Sequence, residues 1–287
     1  MMSSDPTDTL MGLVPKITPR DRRILTDLYE HNVLTTHHLH RLHFEGCSRR
    51  TVNQRMSQLR LYRLVAPFRP YTHAGTSPHH WVVDQLGAQL LAAQRQSEPA
   101  ELDYRADHRM RVAHSLRLGH VLGLADTFVA FTLAARRTSS ASLECWYSER
   151  ESARRWGRHI RPDAYIQWNQ DQTVLHAFVE YDTGTEPLTK VVRKMGGYTS
   201  LALESGLASI ALFAVHSDRR AEHLLAKLSA ESAADPRKVG AYVATHERLR
   251  ARGPDEAVWR APGDPGGPWL RLVDIARCHP RSERDQG

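Results

Sequence analysis

Apolar residues recur at helical spacing through the first hundred positions. Ile24, Leu25 and Leu28 mark a helix over 20–31, opened by Thr18 as N-cap with Pro19 in the first turn. Leu39, Leu42 and Phe44 mark a second over 36–44, ended by Gly46. Ser48 caps a third over 49–62, in which Val52, Met56 and Leu59 form one apolar seam. Two short β-like runs follow, Leu64–Phe68 and Trp81–Asp84, separated by the loop-like RPYTHAGTSPHH, and a further helix fits 85–96. The polar stretch 97–108 reads as a linker. A long helical run over about 109–136 leads into strand-like runs at Leu143–Tyr147, Ala164–Trp168 and Val174–Tyr181. A helix over 188–204, a buried strand at Ala208–Val215 and a helix over 219–230 complete the pattern. The order of the second half is thus α-β-β-β-α-β-α. Residues 1–17 read as a disordered lead, and the Pro-, Gly- and Arg-rich 251–287 as a tail with an extra strand at Trp269–Ile275.

These patterns divide the chain into a domain over 18–96 and a second over 109–250, which suits its 287 residues. Three helices followed by a β-hairpin predict a winged helix-turn-helix over 18–96. Its third helix is the one such domains lay in the major groove. Away from the seam that helix carries Arg49, Arg50, Asn53, Gln54 and Arg55. Arginine can pair bidentately with guanine, and asparagine or glutamine with adenine. Arg69 and His73 in the hairpin add positive character. The competing reading is an ordinary solvated helix face.

Charge and composition narrow the picture further. A formal net charge of +7 favours a phosphate-bearing partner, here double-stranded DNA. Cys47, Cys145 and Cys278 are too scattered for a disulfide framework or a CxxC zinc site, as in a reducing cytoplasm. The N-terminus does not resemble a signal peptide, and the apolar stretch 121–135, interrupted by Asp126, reads as a core helix too short for a membrane. No P-loop or nucleophile elbow occurs, and no small-molecule cofactor is expected. His37, His38, His40 and His43 lack the acid or cysteine partners of a metal site. Two copies could pair, but no heptad seam marks it.

The stretch 161–198 carries the chemistry. Asp163 opens a strand after Pro162; Glu180 and Asp182 lie two apart near the end of the next and share a face. If those strands form a hairpin, all three carboxylates meet at one sheet end. Mg²⁺ is the expected guest of such a cluster. In the following helix Leu188, Val191, Val192, Met195, Tyr198 and Leu201 form an apolar face that includes Lys194, whose buried amine needs an acidic partner. On a structural reading, Glu180 and Lys194 form only an ion pair, and Asp182-Thr183-Gly184 is a turn with Thr185 capping the helix.

Pro162-Asp163, the strand bearing Glu180 and the following helix resemble the PD-(D/E)XK nuclease pattern. The resemblance implies a restriction-endonuclease-like αβββαβ domain, and an α+β or α/β class for the chain. It implies Mg²⁺ on the acids and a lysine that positions or polarises the attacking water. The usual lysine two residues after the second acid is Asp182 here, and Lys194 could stand in from the helix. RDRRILTDLYEHNVLTTHHLHRL, the basic third helix and VEYDTGTEPLTKVVRKMGGY together resemble the replication-relaxation proteins of actinobacterial plasmids and integrative elements, over roughly 18–215. That resemblance implies a DNA-binding role in plasmid replication or mobilisation. With an active second domain the protein would nick or cleave DNA through Asp163, Glu180, Asp182 and Lys194. With an inactive one it would be a transcription or copy-number regulator.

Overall fold

The computed structural model describes residues 11–70, 77–102, 104, 107, 111, 115, 117–206, 209–231, 239–263 and 266–279. The chain divides into two compact units, Met1–Ala125 and Asp126–Gly287.

In the first unit the expected helices form with small shifts: α1 at Pro19–His31, α2 at Thr36–His43, α3 at Arg49–Leu61 and α4 at Gln85–Arg95. Thr18 and Asp21 make a reciprocal capping box at the start of α1. A second box opens α2, where His38 Nδ1 accepts from the Thr35 N–H at 3.3 Å and Thr35 Oγ1 accepts from the His38 N–H at 3.2 Å. The hairpin strands are β2 at Val65–Phe68 and β3 at His80–Val83. The unforeseen β1, Leu34–Thr35, pairs with β3, giving an antiparallel sheet in the order β1-β3-β2. Ile24, Leu25, Leu28, Leu39, Val52, Met56 and Leu59 are at most 1% exposed, so the apolar seams identified in the sequence form the core. Gly87 is needed because a Cβ there would lie 2.1 Å from the Leu64 carbonyl oxygen.

Two boundaries of the sequence reading change here. The lead read as disordered is ordered at its end: Val14–Lys16 is a short 3-10 helix, and Leu13 and Ile17 are buried. Residues 1–10 lie outside the described residues, as do 103, 105, 106 and 108 of the expected linker and most of the first part of the expected long helix; the linker's start forms a 3-10 helix at Pro99–Leu102.

The second unit is a five-stranded sheet in the order β4-β5-β6-β7-β8, with β4 at Ala141–Ser148, β5 at Ala164–Gln170, β6 at Thr173–Asp182, β7 at Ser209–Val215 and β8 at Val239–Thr245. β4, β5 and β6 run antiparallel, and β6, β7 and β8 parallel. Asp171 and Gln172, both at positive φ, turn β5 into β6. The long helix α5, Leu118–Arg137, starts later than expected. It has 20 residues and an 18-residue window of mean hydropathy 1.5, long and apolar enough by length and composition alone to span a bilayer, where the stretch 121–135 read as too short. Ala125, Val129, Phe131 and Ala134 are buried, as in a core helix. Within the second unit Phe131 of α5 packs on Trp146 and Trp168 on one sheet face. The opposite face carries α7, Leu188–Ser205, and α8, Asp218–Glu231, over a core that includes Phe178, Tyr198, Phe213 and Leu224.

Among the described residues of the second unit, three elements were not anticipated. A short helix α6, Glu149–Trp156, interrupts the run of strands between β4 and β5, and β8 extends the sheet with α9, His246–Arg252, following it. The expected strand at Trp269–Ile275 is instead α10, Leu272–Cys278. Its buried positions Leu272, Val273, Ile275 and Ala276 follow helical rather than alternating periodicity, and Asp274 closes its capping box. The region read as a tail completes the core: Val258 and Trp259 are fully buried.

His31, 6% exposed, yields a testable consequence. Burial outweighs the charges of Asp27 and Glu30 and lowers its pKa to about 4. The imidazole is neutral when folded and protonates more readily when unfolded. Its contribution is therefore intact above the unfolded pKa of about 6.5 and lost progressively as pH falls towards 4, amounting to about 3 kcal/mol. Denaturant titrations of the parent and His31→Asn across pH 7.5 to 4 should show a steeper acid decline for the parent; parallel curves would refute it.

Candidate functional site

The basic face of α3 follows from its seam. With Val52, Met56 and Leu59 buried, Arg49, Arg50, Asn53 and Gln54 must face outwards, and all four are exposed. Arg50, Asn53, Gln54, Ser57, Gln58 and Leu61 line a shallow open groove along the helix. Residues 49–63 hold five arginines and no acid, so this face is positive throughout.

Arg55 behaves differently. Its Nε donates to Asp21 Oδ1 at 2.8 Å, its Nη2 forms a close ion pair with Asp21 Oδ2, and the same nitrogen reaches the Lys16 carbonyl at 3.1 Å. Asp21 is fully buried. Burial raises its pKa, but Arg55 and Thr18 more than offset this, so the carboxyl lies below its ordinary range. Arg55 therefore ties α3 to the capping box of α1 and is not available to a base edge in this arrangement. Arg69 remains exposed and donates to His79 Nε2 at 2.8 Å. His73 lies outside the described residues.

Three of the four histidines of α2 are absorbed by structure, and His37 is exposed. His38 caps the helix, His40 Nε2 donates to the Cys47 carbonyl at 2.8 Å, and His43 pairs with Asp27 at 2.8 Å. Among the described residues no group of three or more His, Cys, Asp or Glu is arranged to hold a metal.

In the second unit the β5–β6 register sets Ala164 opposite Val179 and so brings Asp163 beside Glu180. Both are buried, at 7% and 3% exposure. Lys194 Nζ donates to Glu180 Oε2 at 2.5 Å, and the fully buried Tyr198 donates its hydroxyl to Oε1 at 2.6 Å. Lys194 and Tyr198 stand one turn apart on α7, so a single helix face supplies both donors. Burial, then the charge of Asp163, pushes Glu180 up to about 7 against the pull of Lys194 and Tyr198. Burial lowers Lys194, but Glu180 and Asp163 outweigh it and raise the amine. Asp163 Oδ2 accepts from the Tyr181 N–H at 2.7 Å.

Asp182 does not join this pair as expected. Its Oδ2 takes Arg220 Nε at 2.7 Å, and its Oδ1 takes Arg220 Nη2 at 3.1 Å and the Gly184 N–H at 3.0 Å. It is thus the anchor of the turn that follows β6. Gly184, at φ +81°, is required there, because a Cβ would meet the His216 ring at 2.3 Å. Thr185 does not cap α7. Pro187 is the N-cap and supplies no side-chain bond, while the Thr183 and Thr185 hydroxyls lie 3.0 Å apart.

The structure thus sets Asp163, Glu180 and Lys194 side by side, as the hairpin pairing of the sequence reading expects, and pairs Asp182 with Arg220 instead. The sequence reading counted Tyr198 in the apolar face of the helix and in the family-like stretch but gave it no role at this site, and it did not single out Arg220. The spacing of Tyr198 from Lys194 would have identified the first, but no local pattern connects Arg220 to Asp182, 38 residues away. Gly197 makes the approach of α7 feasible, since a Cβ there would lie 2.6 Å from the His159 carbonyl oxygen.

A family model described as replication-relaxation matches residues 25–234. Neither the curated proteins nor the solved structures contain a match.

Removing Arg55 and removing Arg50 should have opposite consequences. Arg55→Ala strands the buried Asp21 carboxylate and should cost about 3 kcal/mol of stability, read from denaturant melts. Arg50→Ala, on an exposed face, should change stability by less than about 0.5 kcal/mol. Equal stability of the two variants would refute the structural role of Arg55.

Proposed function

The chain belongs to the replication-relaxation family, and we propose that it acts in replication or mobilisation of a DNA element by binding duplex DNA through α3. In this reading the first unit is a winged helix: three helices, a hairpin and a small antiparallel sheet. The supporting observation is the exposed row Arg49, Arg50, Asn53 and Gln54, held on a helix whose other side is fully buried. Arg69 at the hairpin extends the positive surface towards a phosphate backbone.

We read the second unit as nuclease-like, with Asp163 and Glu180 as its acidic pair and Lys194 as its lysine. The order β4-α6-β5-β6-α7-β7 and the meeting of Asp163, Glu180 and Lys194 at one end of the interior strands β5 and β6 support this. Two adjacent carboxylates suit Mg²⁺, which takes one or two of them and keeps several waters. Asp182, held by Arg220, would not contribute. The ion would supply Lewis acidity at a scissile phosphate. Glu180 and Asp163 would hold it, and the Lys194 ammonium would balance negative charge at the attacked phosphate. Tyr198 fixes the Glu180 carboxylate in place.

The regulator reading rests on a different observation. Both Glu180 oxygens already have partners in Lys194 and Tyr198, and Arg220 holds Asp182, as in a structural network. The second unit would then bind DNA or a second copy without cutting.

Incubation with supercoiled plasmid in Mg²⁺, Mn²⁺ or chelator separates the two. The cutting reading expects metal-dependent nicking that vanishes in Asp163→Ala and Glu180→Ala and falls about a hundredfold in Lys194→Met. Intact plasmid with either metal, together with gel shifts, would leave the regulator. For the DNA-reading helix, Arg50→Ala should weaken duplex binding by about 1–3 kcal/mol. Unchanged affinity in both Arg49→Ala and Arg50→Ala would remove α3 from the interface.

A further inference from the structure

The sheet face that carries Glu180 is only partly covered. Beyond α7 it presents a row of half-exposed rings across three strands: Tyr147 on β4, Tyr165 on β5 and His176 on β6. Tyr147 lies opposite Tyr165 in the register, with the rings stacked at 5.4 Å and 17°. Tyr165 donates its hydroxyl towards His176 Nδ1 at 2.5 Å, which locks the row together. Trp156 of α6 backs it, 4.7 Å from Tyr165 and 5.0 Å from Phe178. On the same face Asp163 lies one step beyond Tyr165 on β5, and Glu180 one step beyond Phe178, the register partner of Tyr165 on β6, so Tyr165 adjoins the acidic pair.

The flanking charge is positive. Residues 149–161 hold five arginines against two glutamates. Arg155 lies over the Tyr147 ring at 4.2 Å, and Arg158 and Arg161 are exposed. We propose that this face is a binding platform for single-stranded DNA, which leads an unpaired strand to or from the Asp163–Glu180–Lys194 site; the inference rests on the reading of the second unit as one that handles DNA. Open sheet faces with aromatic rings stack unpaired bases, and neighbouring arginines follow the backbone. Duplex DNA hides its base faces and admits a helix or a two-stranded ribbon into its groove, not a broad sheet. The chemistry therefore selects a strand with exposed bases.

The test uses the full chain in chelator, so that no cleavage intervenes. Anisotropy of labelled oligo-dT is compared with that of a duplex of equal length. Tyr147→Ala should bind oligo-dT on the order of tenfold more weakly, with duplex affinity unchanged. Tyr165→Phe keeps the ring and should bind oligo-dT as the parent does. Should Tyr147→Ala fail to fold, the double variant Arg155→Ala, Arg161→Ala carries the test through weaker oligo-dT binding and a shallower salt dependence. Oligo-dT affinity unchanged in the folded variants overturns the platform, as does a parent that binds duplex but not oligo-dT; in both cases the duplex-binding function stands. Failure to bind either DNA overturns both.

Discussion

A buried carboxylate organises the second unit. Glu180 sits near the end of the central strand β6 at 3% exposure, where an uncompensated charge would cost several kcal/mol. Its two oxygens are met by two donors from one helix, Lys194 and Tyr198. That requirement fixes the rotation of α7 about its axis, and Gly197 allows the helix to come close enough to satisfy it. The aromatic row on β4, β5 and β6 lies beside this arrangement. These contacts set the position of Glu180.

The first unit repeats the principle at smaller scale. Asp21 closes the capping box of α1 and accepts the guanidinium of Arg55 from α3. One buried acid thus joins helix initiation to helix packing. The outward residues of α3 are then presented on a helix that cannot roll, which favours recognition because fewer orientations must be frozen on binding. Histidines that look chemically rich in the sequence serve the same end. His38 caps, His40 and His43 bridge, and His31 is buried in neutral form.

Asp182 shows how a site residue can be displaced by its surroundings. It shares the parity of Glu180 on β6, so strand geometry places both on one face. The chain then turns sharply at Gly184, and the guanidinium of Arg220 from α8 reaches the carboxylate first. A charge-assisted bidentate pair of this kind is stronger than a neutral hydrogen bond and holds the acid away from its neighbours. The acidic pair that remains is Asp163 with Glu180.

Much of this was decided locally, and local order is what a sequence expresses. The period of Ile24, Leu25 and Leu28 and of Val52, Met56 and Leu59 placed the helices, Thr18 and Ser48 marked their starts, and strand parity put Glu180 and Asp182 on one face. The seam of α3 also determined which of its polar residues point outwards. Tertiary structure decided the partners. Nothing near Arg55 in the sequence names Asp21, and nothing near Asp182 names Arg220, because such pairs form only when distant segments pack and a buried charge must be matched. The same holds for β8. The weak strand pattern of 239–245 acquires its identity from the core it closes, not from its own periodicity.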